Sequence, residues 1–209
     1  KNKIIQLAMN GKGSPIYTNM SPVMSKFLWD APEEKVDPQK AKQILEEKKL
    51  LPMEFTLKVP NSSKIYLDTA QSIREQLKDI GITVNLEVIE WATWLSDVYT
   101  NRKYEASLAG LAGKMEPDAI LRRYTSTYAK NFTNFNNAKY DALIEEAKRT
   151  SNEAKQIENY KEAQKILAEE QAAIFLMDPN TIIATEKGLE GFEFYPLPYF
   201  NFAKLYFKK

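Results

Sequence analysis

An α/β fold built on a parallel sheet is what this sequence predicts, and three observations between residues 54 and 117 predict it. Residues 55–59 read as a short strand, broken by the turn residues Pro60, Asn61, Ser62 and Ser63. Tyr66, Ala70, Ile73, Leu77 and Ile80 then recur at helical spacing, and Gly81 ends that helix because glycine tolerates a positive φ. Val84, Leu86 and Val88 alternate with Thr83, Asn85 and Glu87, the period of a half-buried strand. Strand, crossover helix and strand form a right-handed parallel unit. Helix 64–80 is therefore expected to cross one face of a sheet in which 55–59 and 83–89 are neighbours, with 104–111 as a further strand. Ligands of open α/β sheets sit beyond the carboxyl ends of the strands, so loops 60–63, 90–94 and 110–117 are expected on one rim. The middle loop carries Trp91 and Trp94, two of the chain's three tryptophans.

The remaining elements follow in order. Residues 4–9 fit either a strand or the end of a helix. Segment 10–36 holds Gly11, Gly13, Pro15, Pro22 and Pro32 and reads as a long irregular stretch, of the kind that has a function or wraps a neighbour. Asp37-Pro38 opens a helix as N-cap and first helical residue, with Ala41, Ile44, Leu45 and Lys48 on one stripe and Pro52 closing the connection. Residues 91–101 fit a short helix with Trp91, Trp94, Leu95 and Val98 on one face. Residues 118–124 fit one or two helical turns, and 131–137 a polar loop. Tyr140, Leu143, Ile144 and Ala147 mark an amphipathic helix. Ser151 or Asn152 caps a longer one that faces inward through Ile157, Tyr160, Gln164 and Leu167. A short strand is expected at 174–177, and a turn at Asp178-Pro179-Asn180. From Gly188 onward the chain is rich in Phe, Tyr and Pro without periodicity. Phe192, Phe194, Tyr195, Leu197, Tyr199, Phe200, Phe202, Leu205, Tyr206 and Phe207 crowd into that tail and are expected to pack against something.

Composition excludes whole classes of chemistry. Neither cysteine nor histidine occurs, which removes thiol nucleophiles, disulfides, Cys/His zinc sites and imidazole catalysis. The net charge of +1 gives no electrostatic footprint for nucleic acid or anionic membrane. No apolar run is long enough to span a bilayer, and no leader peptide is visible. Beginning at Lys1-Asn2-Lys3, the chain is expected to be a processed or excised piece of something longer. Glu33-Glu34 and Glu169-Glu170 are adjacent acids that point apart and form no hydrolytic pair. No cofactor is expected.

The order of elements resembles the C-terminal half of an extracytoplasmic solute-binding protein of the oligopeptide/dipeptide/nickel class that serves ABC importers. Gly11-Lys12-Gly13-Ser14-Pro15 with Ser21-Pro22 resembles that family's glycine-containing loop and following Ser-Pro. The stretch from Val36-Asp37-Pro38 to Ile44-Leu45 resembles its Asp-Pro helix start, and Leu77-Lys78-Asp79-Ile80-Gly81-Ile82 its helix-to-strand passage. Trp91-Ala92-Thr93-Trp94-Leu95, Pro117-Asp118, Asn136-Asn137 and Tyr140-Asp141-Ala142-Leu143-Ile144 continue the series. The resemblance implies one lobe of a two-lobed periplasmic-binding-protein-like fold, a mixed sheet with helices on both faces. Residues 1–180 would form the solute-binding lobe. Residues 181–209 would be an aromatic return segment toward the first lobe. It further implies a non-enzymatic receptor, extracytoplasmic and either free or lipid-anchored. The partners implied are an oligopeptide or other small solute, ABC permease subunits, and an N-terminal lobe of the same polypeptide missing here. A solute such as a nickel complex, or a stand-alone interaction module using the aromatic surface, are the alternatives. In peptide-binding relatives the loop before the Asp-Pro often carries a Trp and an Asp that pairs with the peptide's α-amino group. Here Leu111-Ala112-Gly113-Lys114-Met115-Glu116 offers neither; Glu116 stands nearby, and Lys114 would repel an ammonium.

The candidate ligand-binding residues are thus Asn61, Ser62, Trp91, Trp94, Leu111, Lys114 and Glu116. Each has a plainer role beside the functional one. Trp91 and Trp94 can wall a pocket or simply fill a core. Asn61, Ser62 and Ser63 can meet a carboxylate at a helix start or merely cap it. Lys114 and Glu116 can contact a ligand or be solvated loop charges, and Arg122-Arg123 can grip a carboxylate or lie exposed. The Lys/Glu-rich stretches 40–49 and 145–170 read as solvated helix faces.

Overall fold

A computed structural model describes residues 1–33, 35–195 and 199–208; Glu34 of the acidic pair and Leu197 of the tail lie outside these. The sheet is the predicted one. Strands β2 (Met53–Pro60) and β3 (Ile82–Ile89) run parallel in the register Met53↔Ile82 to Pro60↔Ile89. Helix α3 (Lys64–Lys78) connects them, capped by the Ser63 side chain, which accepts from the Ile65 N–H. Gly81 closes the connection at φ 88°. A third strand, β4 (Ala106–Ser107), pairs parallel with the other edge of β2, giving the order β3-β2-β4. It is shorter than the expected 104–111, because Glu105 accepts from the Thr56 N–H through its side chain, and only Leu108 beyond it still reaches the ladder. Among the described residues, antiparallel pairing is confined to two separate two-stranded ladders.

Successive side chains of β2 serve opposite faces. Leu57 and Val59 are buried with Ala70 of α3, with Leu45 of helix α2 (Pro38–Glu47) packed beside them. Lys58 points the other way, to Asp97. Helices therefore cover both faces. Helix α1 (Asn2–Met9) resolves the open reading of 4–9 and packs on α3, with Ile4, Ile5 and Met9 buried. Asp37 caps α2 by accepting from the Lys40 N–H, as its Asp-Pro start predicts.

A second core lies among helices α5 (Pro117–Leu121), α6 (Ala138–Arg149) and α7 (Glu153–Glu169), where Leu121, Tyr140, Ile144, Ala147, Tyr160 and Leu167 are buried together. Asn137 and Asn152 cap α6 and α7. The irregular segment joins this core through buried Met20, through Met24, Phe27 and Leu28 packed against it, and through hydrogen bonds to one amide. Gln164 is fully buried; its Oε1 accepts from the Thr18 hydroxyl (3.1 Å) and the Trp29 N–H (3.2 Å), and its Nε2 donates to the Phe27 and Tyr160 carbonyls (2.8 and 3.0 Å). The expected loop 131–137 is likewise anchored, with Asn131 Nδ2 donating to the Tyr124, Thr125 and Phe135 carbonyls.

Two expectations are corrected. The strand near the C-terminal end is β5 (Met177–Pro179), not 174–177, and it includes the residues read as a turn. It pairs antiparallel with β1 (Gly13–Pro15), while Ile174 is exposed. Ser21, N-cap of the 3-10 turn Pro22–Met24, donates its hydroxyl to Asp178 and fastens the same junction. Val88, expected inside, is 52% exposed; it lies on β3, an edge strand of the sheet. In the tail, β6 (Leu189–Glu190) pairs with β7 (Tyr206–Phe207), and Phe194, Tyr199, Phe200, Phe202, Tyr206 and Phe207 are exposed.

Replacing Gln164 with Leu keeps the volume but strands the Trp29 N–H and the Phe27 carbonyl. Urea denaturation should show a loss of about 2–4 kcal/mol, well beyond a neutral surface change.

Candidate functional site

Because β2, β3 and β4 are parallel, the chain leaves all three at one edge of the sheet. The loops after them are tied together by hydrogen bonds. The Asn61 N–H donates to the Ile89 carbonyl (2.9 Å), and Asn61 Nδ2 donates to Glu90 Oε1 (2.9 Å). The Gly110 N–H donates to the Tyr66 hydroxyl (3.2 Å), which brings the third loop to the first turn of α3. A Cβ at Gly110 would stand 2.8 Å from the Tyr66 oxygen, so any larger residue there would displace the phenol from this position. Arg123 donates to the Ala112 carbonyl (3.0 Å), fixing the far side of the same loop.

Trp91 opens helix α4 (Trp91–Trp94), and the helix widens at once into a π segment, Leu95–Thr100. The two indoles stack face to face, with centroids 5.0 Å apart and planes within 3°. Trp94 is 2% exposed and Trp91 39%. Only Trp91 therefore presents an indole face at the rim; Trp94 lies beneath it. An α-helix would separate residues five apart, but the i→i+5 bonding of a π segment returns them to one side. Tyr99 thus reaches Trp94 (6.1 Å), Phe132 closes the cluster edge-on (5.7 Å), and Leu95, expected on the inner face, turns outward. Trp94 Nε1 donates to the Ser107 hydroxyl (2.9 Å), which donates onward to the Lys58 carbonyl (2.9 Å).

Lys58 Nζ lies 3.2 Å from Asp97 and 3.7 Å from Glu87, so the cation beneath the rim is neutralised on both sides. Its hydrogen bond, with a second from Ser96, holds the Asp97 carboxyl below the usual carboxylate range. Tyr104 is pushed up by burial; its hydroxyl donates to the Phe132 carbonyl (2.5 Å).

The structure brings Asn61, Ser62 and Trp91 to one place. Asn61 is engaged in joining two loops, Ser62 is exposed beside it, and Ser63 acts as the helix cap. Leu111, Lys114 and Glu116 are exposed along the third loop. Glu116 is the N-cap of α5 without a side-chain capping bond. Arg122 and Arg123 do not converge: Arg122 lies 3.9 Å from Asp118 and over the Tyr128 ring, while Arg123 holds Ala112. Sequence reasoning missed Ser107, Tyr66, Tyr99 and Phe132. A lysine at 58 between buried Leu57 and Val59 was the one available signal that the second sheet face carries polar pairs.

Residues 1–132 match the bacterial extracellular solute-binding proteins, family 5 Middle, and the chain belongs to that family. The oligopeptide-binding protein AppA of Bacillus subtilis is 28% identical over 214 residues, which cover 94% of this chain and 39% of that protein. A dipeptide-binding protein of Pseudomonas aeruginosa is 27% identical over 208 residues, covering 94% of this chain and 38% of the relative. The solved structure of B. subtilis AppA in complex with a nonapeptide superposes with a TM-score of 0.81 at 27% identity, over 100% of this chain and 45% of that one. DppA from Helicobacter pylori in complex with the peptide STSA gives 0.84 at 21% identity, over 99% of this chain and 41% of that one, a likeness of fold alone. The chain thus spans 39% and 38% of the length of the two curated relatives.

Asp97 is lowered in the folded state, so its contribution is present above the ordinary carboxylate pKa of 3.8 and is lost as pH falls through the lower folded value. Urea midpoints should therefore drop as the solution is acidified through the carboxylate range. Lys58→Met should flatten part of that drop; an unchanged pH profile would mean the pair contributes nothing.

Proposed function

We propose that these residues form one lobe of an extracytoplasmic receptor that binds peptides and hands them to an ABC permease. The observation that carries the reading is the convergence of three post-strand loops on one rim, with the Trp91 face exposed in the middle. Family membership supports a solute-binding role, and the names of the relatives favour peptide over a metal complex. Asn61, Ser62, Trp91, Leu111, Lys114 and Glu116 are the residues assigned to the solute, with Trp94 supporting Trp91 from below. The role is non-enzymatic. Solute shifts a hinge equilibrium toward a closed form by its differential affinity for that form.

The exposed aromatics of residues 181–209 fit the same reading, as a surface for the first lobe. Burying one such side chain is worth roughly 1.5–3 kcal/mol, and Phe202 alone is 71% exposed. They equally suit a stand-alone interaction module. Small-angle scattering of this chain joined to its first lobe separates the two. A receptor contracts when peptide is added, and a module does not.

One lobe supplies part of the contacts and none of the closure, so affinity should be weak in the 209 residues alone. Submicromolar binding of a short peptide by calorimetry would defeat this division of the site. The tail should also drive self-association of the isolated chain. Sedimentation should show less of it after Phe194→Ser, Phe200→Ser and Phe202→Ser.

A further inference from the structure

Trp91 stacks on a ring that is hydrogen-bonded to a residue no solute contact would single out. Its indole is held parallel to Trp94 at 5.0 Å, and it has no other aromatic neighbour among the described residues. Trp94 in turn is held in its plane by one directional bond, Nε1–H to the Ser107 hydroxyl at 2.9 Å. Ser107 is fixed twice over. Its backbone is paired with Lys58 in the β4–β2 ladder, and its hydroxyl proton is committed to the Lys58 carbonyl at 2.9 Å. That commitment leaves the oxygen lone pairs facing the indole N–H, so the bond has one sense only.

Aromatic stacking and edge contacts set a ring's distance but tolerate sliding and rotation in plane; a hydrogen bond at the ring edge does not. We infer that Ser107 is a positioning residue for the solute-facing indole: through Trp94 it sets where the exposed face of Trp91 lies, and so how well the rim accepts a flat apolar side chain of the solute. The inference rests on the receptor reading above. The chemistry favours an aromatic group, because Lys58 is already neutralised by Asp97 and Glu87 and the exposed feature is a π face.

The test uses indole N–H resonances of the 209-residue chain, with tri-alanine and Ala-Phe-Ala as probes at millimolar concentration. In the native chain the Trp91 signal should respond to both peptides, with about two- to tenfold tighter binding of Ala-Phe-Ala. Ser107→Ala should speed exchange of the Trp94 indole proton roughly three- to tenfold and abolish the preference between the peptides. Ser107→Thr keeps the hydroxyl on a residue suited to a strand and should restore both. Trp94→Phe, which keeps a ring but no N–H, should lose the preference even with Ser107 in place. If Ser107→Ala speeds exchange yet leaves the preference intact, the bond is merely structural and the inference is wrong. A native chain that responds equally to both peptides also overturns it. A Trp91 signal indifferent to both peptides would instead bring down the assignment of solute to this rim, and the inference with it.

Discussion

The parallel pairing of β2 with both of its neighbours is the constraint on which the candidate site depends. Parallel strands cannot be joined by a tight hairpin, so every return crosses a sheet face, and every exit lies at the same edge. Helix α3 makes the first return over the face that carries Leu57 and Val59. The second runs through α4 and its π continuation over the face that carries Lys58. The rim is a consequence of that routing rather than of any residue within it. Its chemistry is then decided by which side chains the two crossovers leave at the edge, and Trp91 is placed there because it follows Glu90 directly at the end of β3.

The two cores solve different problems. Around the sheet, apolar burial suffices, because the ladder already satisfies the backbone. In the helical half, the segment before α2 has almost no ladder, and its backbone groups need partners from elsewhere. Gln164 serves two of them, the Trp29 N–H and the Phe27 carbonyl, and holds the Thr18 hydroxyl as well: a primary amide has two donors and an acceptor oxygen with two lone pairs, and here both ends are in use. A buried amide this fully engaged specifies one arrangement of the segment, where an apolar side chain would accept many. Asn131 does the same for the loop between α5 and α6. Long irregular stretches in this chain are thus fixed by single amides working beside apolar anchors, Met20 and Phe27 in one and Phe135 in the other.

What was legible in the sequence was local. The Ser63 cap, the α3 stripe, Gly81 and the alternation of β3 are set within a few residues of one another, and the parallel unit follows from them. What was not legible required a partner distant in sequence. The strand at Met177–Pro179 exists because Gly13–Pro15 lies beside it, while the more apolar run just before it has no strand partner among the described residues. The shift from α to π after Trp94 leaves no mark in a periodic pattern over so few residues. The exposure of Val88 goes with the place of β3 at the sheet edge, which the alternation of the strand does not reveal. The rim could be located from topology, yet Ser107, Tyr66 and Phe132 could not be assigned to it, since their roles arise from contacts between separate crossovers.

The tryptophan pair shows how such contacts divide labour between like residues. Three residues apart on an α turn, the indoles share one helix face, and sequence alone treats them as equivalent. The π widening breaks the equivalence. It turns Tyr99 back toward Trp94, lets Phe132 close the edge, and leaves Ser107 as the acceptor for the one N–H that would otherwise be buried unpaired. With its polar atom satisfied and its ring enclosed, Trp94 can be buried without penalty. Trp91 gains a rigid floor on one side and keeps the other free. An exposed indole on a flexible loop would cost entropy to order when a ligand arrived; one already stacked on a fixed partner has met that cost during folding.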